Sequence, residues 1–234
     1  MASNDDRTEY RQTPYAPPPG ATEILLVRHG TSEPARPGRP FPLVDGHGDP
    51  GLAPEGREQA ERLGDRLSKI RLDAVYVTSL RRTAQTAAPL LRSTGIEPRV
   101  EKDLREVHLG EWEGGLFRKM IQENGPIARR FWAEERWDAI PGGEPSEAFA
   151  ARVRGAVDRI AAAHPDGRVA VFTHGGVIAQ ALALAGGSRP FAFLGADNGS
   201  ISQLVVVGGL WSVRRFNDTA HFESDLDAGF TPLS

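Results

Sequence analysis

Two apolar tetrapeptides, each running into a histidine followed by glycine, constrain this chain more than any other feature. Ile24-Leu25-Leu26-Val27 leads into Arg28-His29-Gly30, and Val169-Ala170-Val171-Phe172 leads into Thr173-His174-Gly175-Gly176. An unbroken apolar run of this length suits a strand buried on both faces, as in a parallel sheet flanked by helices. Ligands of such sheets bind beyond the carboxyl ends of the strands. Both histidines therefore belong at one edge of the sheet. There a neutral imidazole can act as a nucleophile or a hydrogen-bond donor near pH 7.

The segments between these runs alternate strand and helix. Residues 31–51 are irregular, rich in proline and glycine, and long for a structureless loop, a kind that is often functional. Pro54 stands where a helix starts, and Ala60, Leu63, Leu67 and Ile70 give an amphipathic helix over residues 54–70. A buried strand over residues 72–77 leads through Thr78-Ser79-Leu80-Arg81-Arg82 into a helix that Gly95 stops. Residues 98–100 suit a short edge strand. Residues 104–140 carry Trp112, Phe117, Phe131, Trp132 and Trp137 without strand character, and read as a loop and a helical insertion (about 112–140), a candidate lid. Pro141-Gly142-Gly143 ends it. Phe149, Val153, Val157 and Ile160 mark a long helix, and a further helix covers residues 177–184. Residues 201–207 and 211–216 alternate around Gly208-Gly209 and predict an antiparallel hairpin. The fold class expected is a three-layer α/β/α sandwich with a mostly parallel central sheet and right-handed crossovers.

A chain of 234 residues suits one such domain, set at residues 22–222. Residues 1–21, with Pro14, Pro17, Pro18 and Pro19, read as a disordered tail, and residues 223–234 as a C-terminal tail. The N-terminus lacks the apolar core of a signal peptide, and no run approaches the roughly 18 to 20 apolar residues of a membrane span. A net charge of −3 gives no argument for nucleic acid or an anionic membrane, so neither is expected as a partner. With no cysteine, disulfides and thiolate metal sites are excluded, and a cytoplasmic location is the default.

Three strand ends converge in this arrangement. One carries Arg28 and His29, one leads to Arg81 and Arg82, and one carries His174. Guanidinium forks match phosphate oxygens, and backbone N–H groups at helix starts add positive potential, so this is an anion site. Phosphoryl transfer needs such charge neutralisation together with a nucleophile and a proton donor for the leaving oxygen. No acidic cluster suggests magnesium, so no metal and no cofactor is expected, and the arginines would take the metal's role.

Arg28-His29-Gly30 after an apolar strand resembles the signature of the histidine phosphatase superfamily, with its phosphoglycerate-mutase-like fold. The tripeptide alone would be weak; six further segments in the family's order carry the resemblance. Asp49-Pro50-Gly51-Leu52 with Gly56 and Gln59-Ala60 resembles "D-x-x-L-T-x-x-G-x-x-Q-A". Arg82-Thr83-Ala84-Gln85-Thr86-Ala87 resembles the "R-A-x-Q-T-A" helix start, and Leu104 to Gly114 resembles "L-x-E-x-x-x-G-x-W-E-G". Pro141-Gly142-Gly143-Glu144, Thr173-His174-Gly175-Gly176 and Asn217-Asp218-Thr219 complete it. The resemblance implies a phosphomonoesterase whose nucleophile is His29, forming phosphohistidine. Arg28 and Arg82 (rather than Arg81) would hold the phosphoryl group, His174 would donate to it, and Ser32 would supply a hydroxyl. Glu106 would protonate the leaving oxygen and later activate water, which requires its carboxyl to hold a proton. The Gly30 carbonyl would orient the other ring nitrogen of His29. The implied partner is a small-molecule phosphoester, and a homodimer through the sheet edge or the insertion is a further family expectation.

The chain also departs from the family. Pro34 and Ala35 stand where mutases carry Trp-Asn, and the lengthened segment 36–48 brings Arg36, Arg39 and His47 near the specificity region. Ala53 replaces a Thr helix cap and Pro145 a Ser. Two rivals follow: a cofactor-dependent phosphoglycerate mutase, which the Pro34-Ala35 change disfavours, and a catalytically silent phospholigand-binding module, for which the full catalytic set has no use.

Overall fold

Both apolar runs are central strands of one sheet. In the computed structural model, which describes residues 11–222, the chain runs β1 (Thr22–Arg28), β2 (Leu43–Val44), β3 (His47–Gly48), α1 (Pro54–Leu67), β4 (Ala74–Val77), α2 (Arg81–Thr94) and β5 (Arg99–Val100). It continues through α3 (Leu116–Glu123), α4 (Pro126–Glu134), α5 (Ser146–Ala163), β6 (Arg168–Thr173), α6 (Gly175–Gly186), β7 (Ile201–Val207) and β8 (Leu210–Asp218). The tails expected at 1–21 and 223–234 lie outside the described residues except for 11–21. Of these, 11–20 are exposed, whereas Ala21 is already buried.

The sheet order is β5-β4-β6-β1-β7-β8. Strands β5, β4, β6 and β1 are parallel, and the β7–β8 hairpin adds antiparallel to β1. Glycines at positive φ, Gly208 and Gly209, turn that hairpin, as two-residue loops require. Small strands β2 and β3 pair with each other inside the long loop after β1.

Alternation explains why the tetrapeptides must be apolar throughout. Ile24 and Leu26 of β1, with Val169 and Val171 of β6, pack against Phe149, Val153 and Val157 of α5 and Val177 and Ile178 of α6. Leu25 and Val27, with Ala170 and Phe172, pack on the other face against Leu63 and Leu67 of α1 and Leu90 of α2. Helices on both faces leave these strands no polar side. Helix α1 stops at Leu67 rather than 70: the Ser68 N–H closes on the Gly64 carbonyl, and Ile70 is 37% exposed, outside the apolar stripe.

The aromatic insertion is mostly core. Trp112, Phe131 and Trp137 are buried, and the Phe131 ring lies 4.9 Å from Phe191 and 5.2 Å from Trp137. Only α3 has no buried residue, so the expected lid narrows to this helix. Among the described residues no helix is long and apolar enough to cross a membrane.

Candidate active site

Arg28 pairs with Thr173 across the parallel strands, so β1 and β6 end level. His29 then donates its backbone N–H to the Thr173 carbonyl at 3.0 Å, and the His29 and His174 rings meet edge to face with centroids 5.3 Å apart. The His29 Nδ1 lies 2.8 Å from the Gly30 carbonyl. A carbonyl only accepts, so Nδ1 carries the proton and Nε2 keeps a lone pair. Gly30 N–H donates to Thr86 Oγ1 at 3.0 Å, and Asn198 Nδ2 donates to the His29 carbonyl at 2.9 Å, which fixes the loop on both sides. The first turn of α1 also closes on it: a Cβ on Gly56 would stand 2.0 Å from the Thr31 carbonyl oxygen.

A cavity of about 170 Å³ opens at these strand ends. Arg28, His29, Ser32, Arg82 and Glu106 all line it. Arg28 Nη1 donates to the Ala196 carbonyl, and its buried Nε has no hydrogen-bond partner among the described residues. Arg82 Nη1 donates to the Gly48 carbonyl at 2.9 Å. Its neighbour Arg81 turns away to Asp49, which also accepts the Arg81 backbone N–H at 2.8 Å, so the two arginines of the motif divide between scaffold and cavity. Burial pushes the Arg82 guanidinium down to about 10, opposed by Glu106 and Asp49, and lowers Arg28 as well. Burial first, then Arg82 and Arg28, push His29 well below the ordinary histidine range. This favours the neutral imidazole, the form that can act as a nucleophile.

Glu106 enters from the loop after β5. Its Oε2 accepts the Gly176 N–H at 3.1 Å and its Oε1 the Val107 N–H at 3.0 Å. Gly176 lets the carboxyl come this close, because a Cβ there would stand 2.5 Å from Glu106 Oε1 and displace it. His174 caps α6 and is completely buried; it touches His29 but is not part of the cavity lining. Its Nε2 lies 3.0 Å from Thr78 Oγ1.

An arginine that the sequence did not single out completes the cation set. Arg118 of α3 lines the cavity, donating from Nη2 to Ser32 Oγ at 2.7 Å and from Nη1 to the Glu33 carbonyl at 2.9 Å. Ser32 thus accepts from Arg118 and keeps its own proton to donate. Among the described residues none of Arg28, Arg82 and Arg118 is ion-paired with a carboxylate, so the cavity is built for an anion. No group of three or more His, Asp or Glu side chains among the described residues is arranged to hold a metal ion.

Residues 24–219 match the histidine phosphatase superfamily, branch 1. The chain belongs to the histidine phosphatase superfamily. Phosphoglycerate mutase-like protein 4 of Arabidopsis thaliana is 34% identical to it over 218 residues, covering 89% of this chain and 91% of the relative. The metal-independent phosphoserine phosphatase of Arabidopsis thaliana is 30% identical over 207 residues, covering 87% and 84%. Among solved structures, the complex of mycobacterial glucosyl-3-phosphoglycerate phosphatase with inorganic phosphate is similar at a TM-score of 0.70 and 31% identity, covering 86% of this chain and 99% of the other.

Around this histidine phosphatase cavity, the lengthened segment 36–48 divides. Arg36 and Arg39 are exposed and outside the lining, whereas His47 is 8% exposed and lines it. Ala35 packs where a Gly115 Cβ would stand, 3.0 Å away, beside the Phe41 ring. The Pro34-Ala35 departure therefore abuts the insertion. Phe41, Leu109, Trp112, Phe117, Trp132 and Trp137 give the remaining wall its apolar character.

Proposed function

We propose that this histidine phosphatase hydrolyses phosphomonoesters in two steps through a phosphohistidine at His29. One observation carries the reading: the Gly30 carbonyl holds Nδ1 as the protonated nitrogen, leaving a neutral Nε2 beside Arg28 and Arg82 in an anion cavity. In the first step the Nε2 lone pair attacks phosphorus, the P–O ester bond breaks, and the Glu106 carboxyl gives its proton to the leaving oxygen. In the second step water attacks phosphorus, Glu106 takes its proton, and the P–N bond breaks to release phosphate. Arg28, Arg82 and the Ser32 hydroxyl hold the equatorial oxygens throughout, with His174 as a further donor. Arg118 places positive charge at the mouth, and the apolar wall receives a leaving group with apolar surface. The phosphatase names of several relatives support hydrolysis over mutase chemistry. The cytoplasmic location and the homodimer belong to the same proposal.

The test is turnover of an aryl phosphate in EDTA, with acid quench and detection of acid-labile phosphohistidine, using His29→Ala as control. Turnover and label in the wild type, both lost in His29→Ala, are expected. Turnover without label, or turnover surviving in His29→Ala, overturns the mechanism. Interconversion of 2- and 3-phosphoglycerate at a comparable rate in the presence of the bisphosphorylated cofactor would favour the mutase reading.

A further inference from the structure

His174 has two ring nitrogens in different situations. Nε2 lies 3.0 Å from Thr78 Oγ1, while Nδ1 is buried with no hydrogen-bond partner among the described residues. Burial first, then Arg82 and His29, push this imidazole well below the ordinary histidine range, so it carries a single N–H. Which nitrogen holds that proton decides whether His174 can donate to a phosphoryl oxygen.

The surrounding hydroxyls reduce the choice to two arrangements. Thr83 Oγ1 gives its one proton to the Leu80 carbonyl at 2.8 Å, so it only accepts from the Thr78 N–H at 3.1 Å and the Thr78 hydroxyl at 3.1 Å. Thr78 Oγ1 accepts the Leu80 N–H at 3.3 Å. Its own proton then has two takers, Thr83 Oγ1 and His174 Nε2. Donation to Nε2 leaves the ring proton on Nδ1. The reverse arrangement gives Nδ1 a lone pair, which repels phosphoryl oxygens in a site where His29, Arg28 and Arg82 assemble around them.

We propose that Thr78 is a positioning residue that fixes His174 as its Nδ1–H tautomer, leaving Nδ1–H as the ring donor free for a phosphoryl group carried on the neighbouring His29. The choice of tautomer and the role of the donated bond both rest on the phosphatase reading above. The threonine pair lies at the start of α2, the helix that also presents Arg82, so one turn of chain sets both a guanidinium and an imidazole.

Long-range proton–nitrogen NMR of the wild-type protein reads the tautomer directly, with His174→Gln to assign the signal. A protonated Nδ1 is expected, and a protonated Nε2 overturns the proposal whatever the enzyme turns over. Thr78→Val removes the hydroxyl at nearly constant volume. It is expected to mix the tautomers and to lower kcat on an aryl phosphate about 10- to 100-fold with little change in KM, less than deleting an oxyanion donor itself. Thr78→Ser keeps the hydroxyl and is expected to stay within about 3-fold of wild type. Unchanged kcat in Thr78→Val, or an equal loss in Thr78→Ser, overturns the role. If no phosphoester is turned over, the NMR measurement still decides the tautomer, and only the phosphatase reading fails.

Discussion

Arg152, on a helix behind the sheet, donates from Nη2 to the Glu106 carbonyl at 3.0 Å. The same guanidinium donates to the carbonyls of Asp103 at 2.7 Å and Arg105 at 2.8 Å, and forks onto Glu144 at 2.6 and 2.8 Å. Glu144 in turn accepts the His108 N–H at 3.1 Å. The loop that delivers the proposed acid is thus held by one partly buried ion pair rather than by regular structure. Burial pushes the Glu144 carboxyl up, but the Arg152 bonds outweigh it and hold the group below the ordinary glutamate range. Arg152→Met is expected to cost about 1–3 kcal/mol in urea unfolding, because it leaves a partly buried carboxylate and three backbone carbonyls without their donor. Arg152→Lys keeps the charge but cannot serve five acceptors, and a loss in kcat of about 10-fold with a small change in unfolding midpoint is expected. Unchanged kcat in Arg152→Lys would show that the loop holds its shape without the fork. The Glu144 contribution is present at neutral pH and fades as pH falls through its lowered folded value.

Proton linkage at the two histidines also shapes the pH profile. His29 is pushed well below 6.5 by burial and by Arg82 and Arg28, so it remains a free base through the neutral range. The acid limb of kcat/KM that reports His29 is expected to fall below pH 6.5, and a limb centred at or above that value would contradict the assignment. Stability carries the opposite of the usual histidine pattern. Between the lowered folded value and 6.5 the unfolded chain binds more protons at His29 and His174, so stability drops as pH falls through that window. Urea midpoints at pH 5 and 7.5 measure the drop, and His29→Asn is expected to shrink it.

Strand ends and histidines were legible in the sequence because burial on both faces forces unbroken apolar runs, and such runs are local. Arg82 was legible through its motif, and the structure supplies the reason: Arg81 is claimed by Asp49. Arg152, Asn198 and Thr78 were not, since each acts on a group 46, 169 or 96 residues away and no local periodicity encodes such a contact. Arg118 sits on a short amphipathic helix among exposed residues and reads as solvated until the fold places α3 over Ser32. The lid expectation was too broad for a related reason. An aromatic-rich insertion signals burial, but not whether the rings face a ligand or, like Phe131, the core.

Arg118 offers a test of how the insertion takes part. Burial lowers its guanidinium, and the Phe41 ring lies 5.7 Å from it. Its bonds to Ser32 and Glu33 join α3 to the loop that carries His29. Arg118→Gln is expected to raise KM for a phosphomonoester about 10-fold while kcat falls less, because charge at the mouth acts on binding more than on the bond being broken. A fall in kcat without a change in KM would instead place Arg118 on the transferring group itself. Inhibition by inorganic phosphate should weaken in parallel with KM.

Gly176 separates acid catalysis from binding. A Cβ there meets Glu106 Oε1 at 2.5 Å and the Trp137 ring at 3.2 Å, so Gly176→Ala must displace the carboxyl or the helix start. Neither Arg28 nor Arg82 is disturbed, and phosphate affinity should hold within about 3-fold. The first step should slow about 100-fold for an alkyl phosphate, whose leaving oxygen needs a proton, and far less for an aryl phosphate, whose leaving group departs as the anion. The variant should therefore steepen the dependence of kcat/KM on leaving-group pKa, measured across a series of substituted phenyl and alkyl phosphates. An equal loss for both ends of the series would assign the proton to a group other than Glu106.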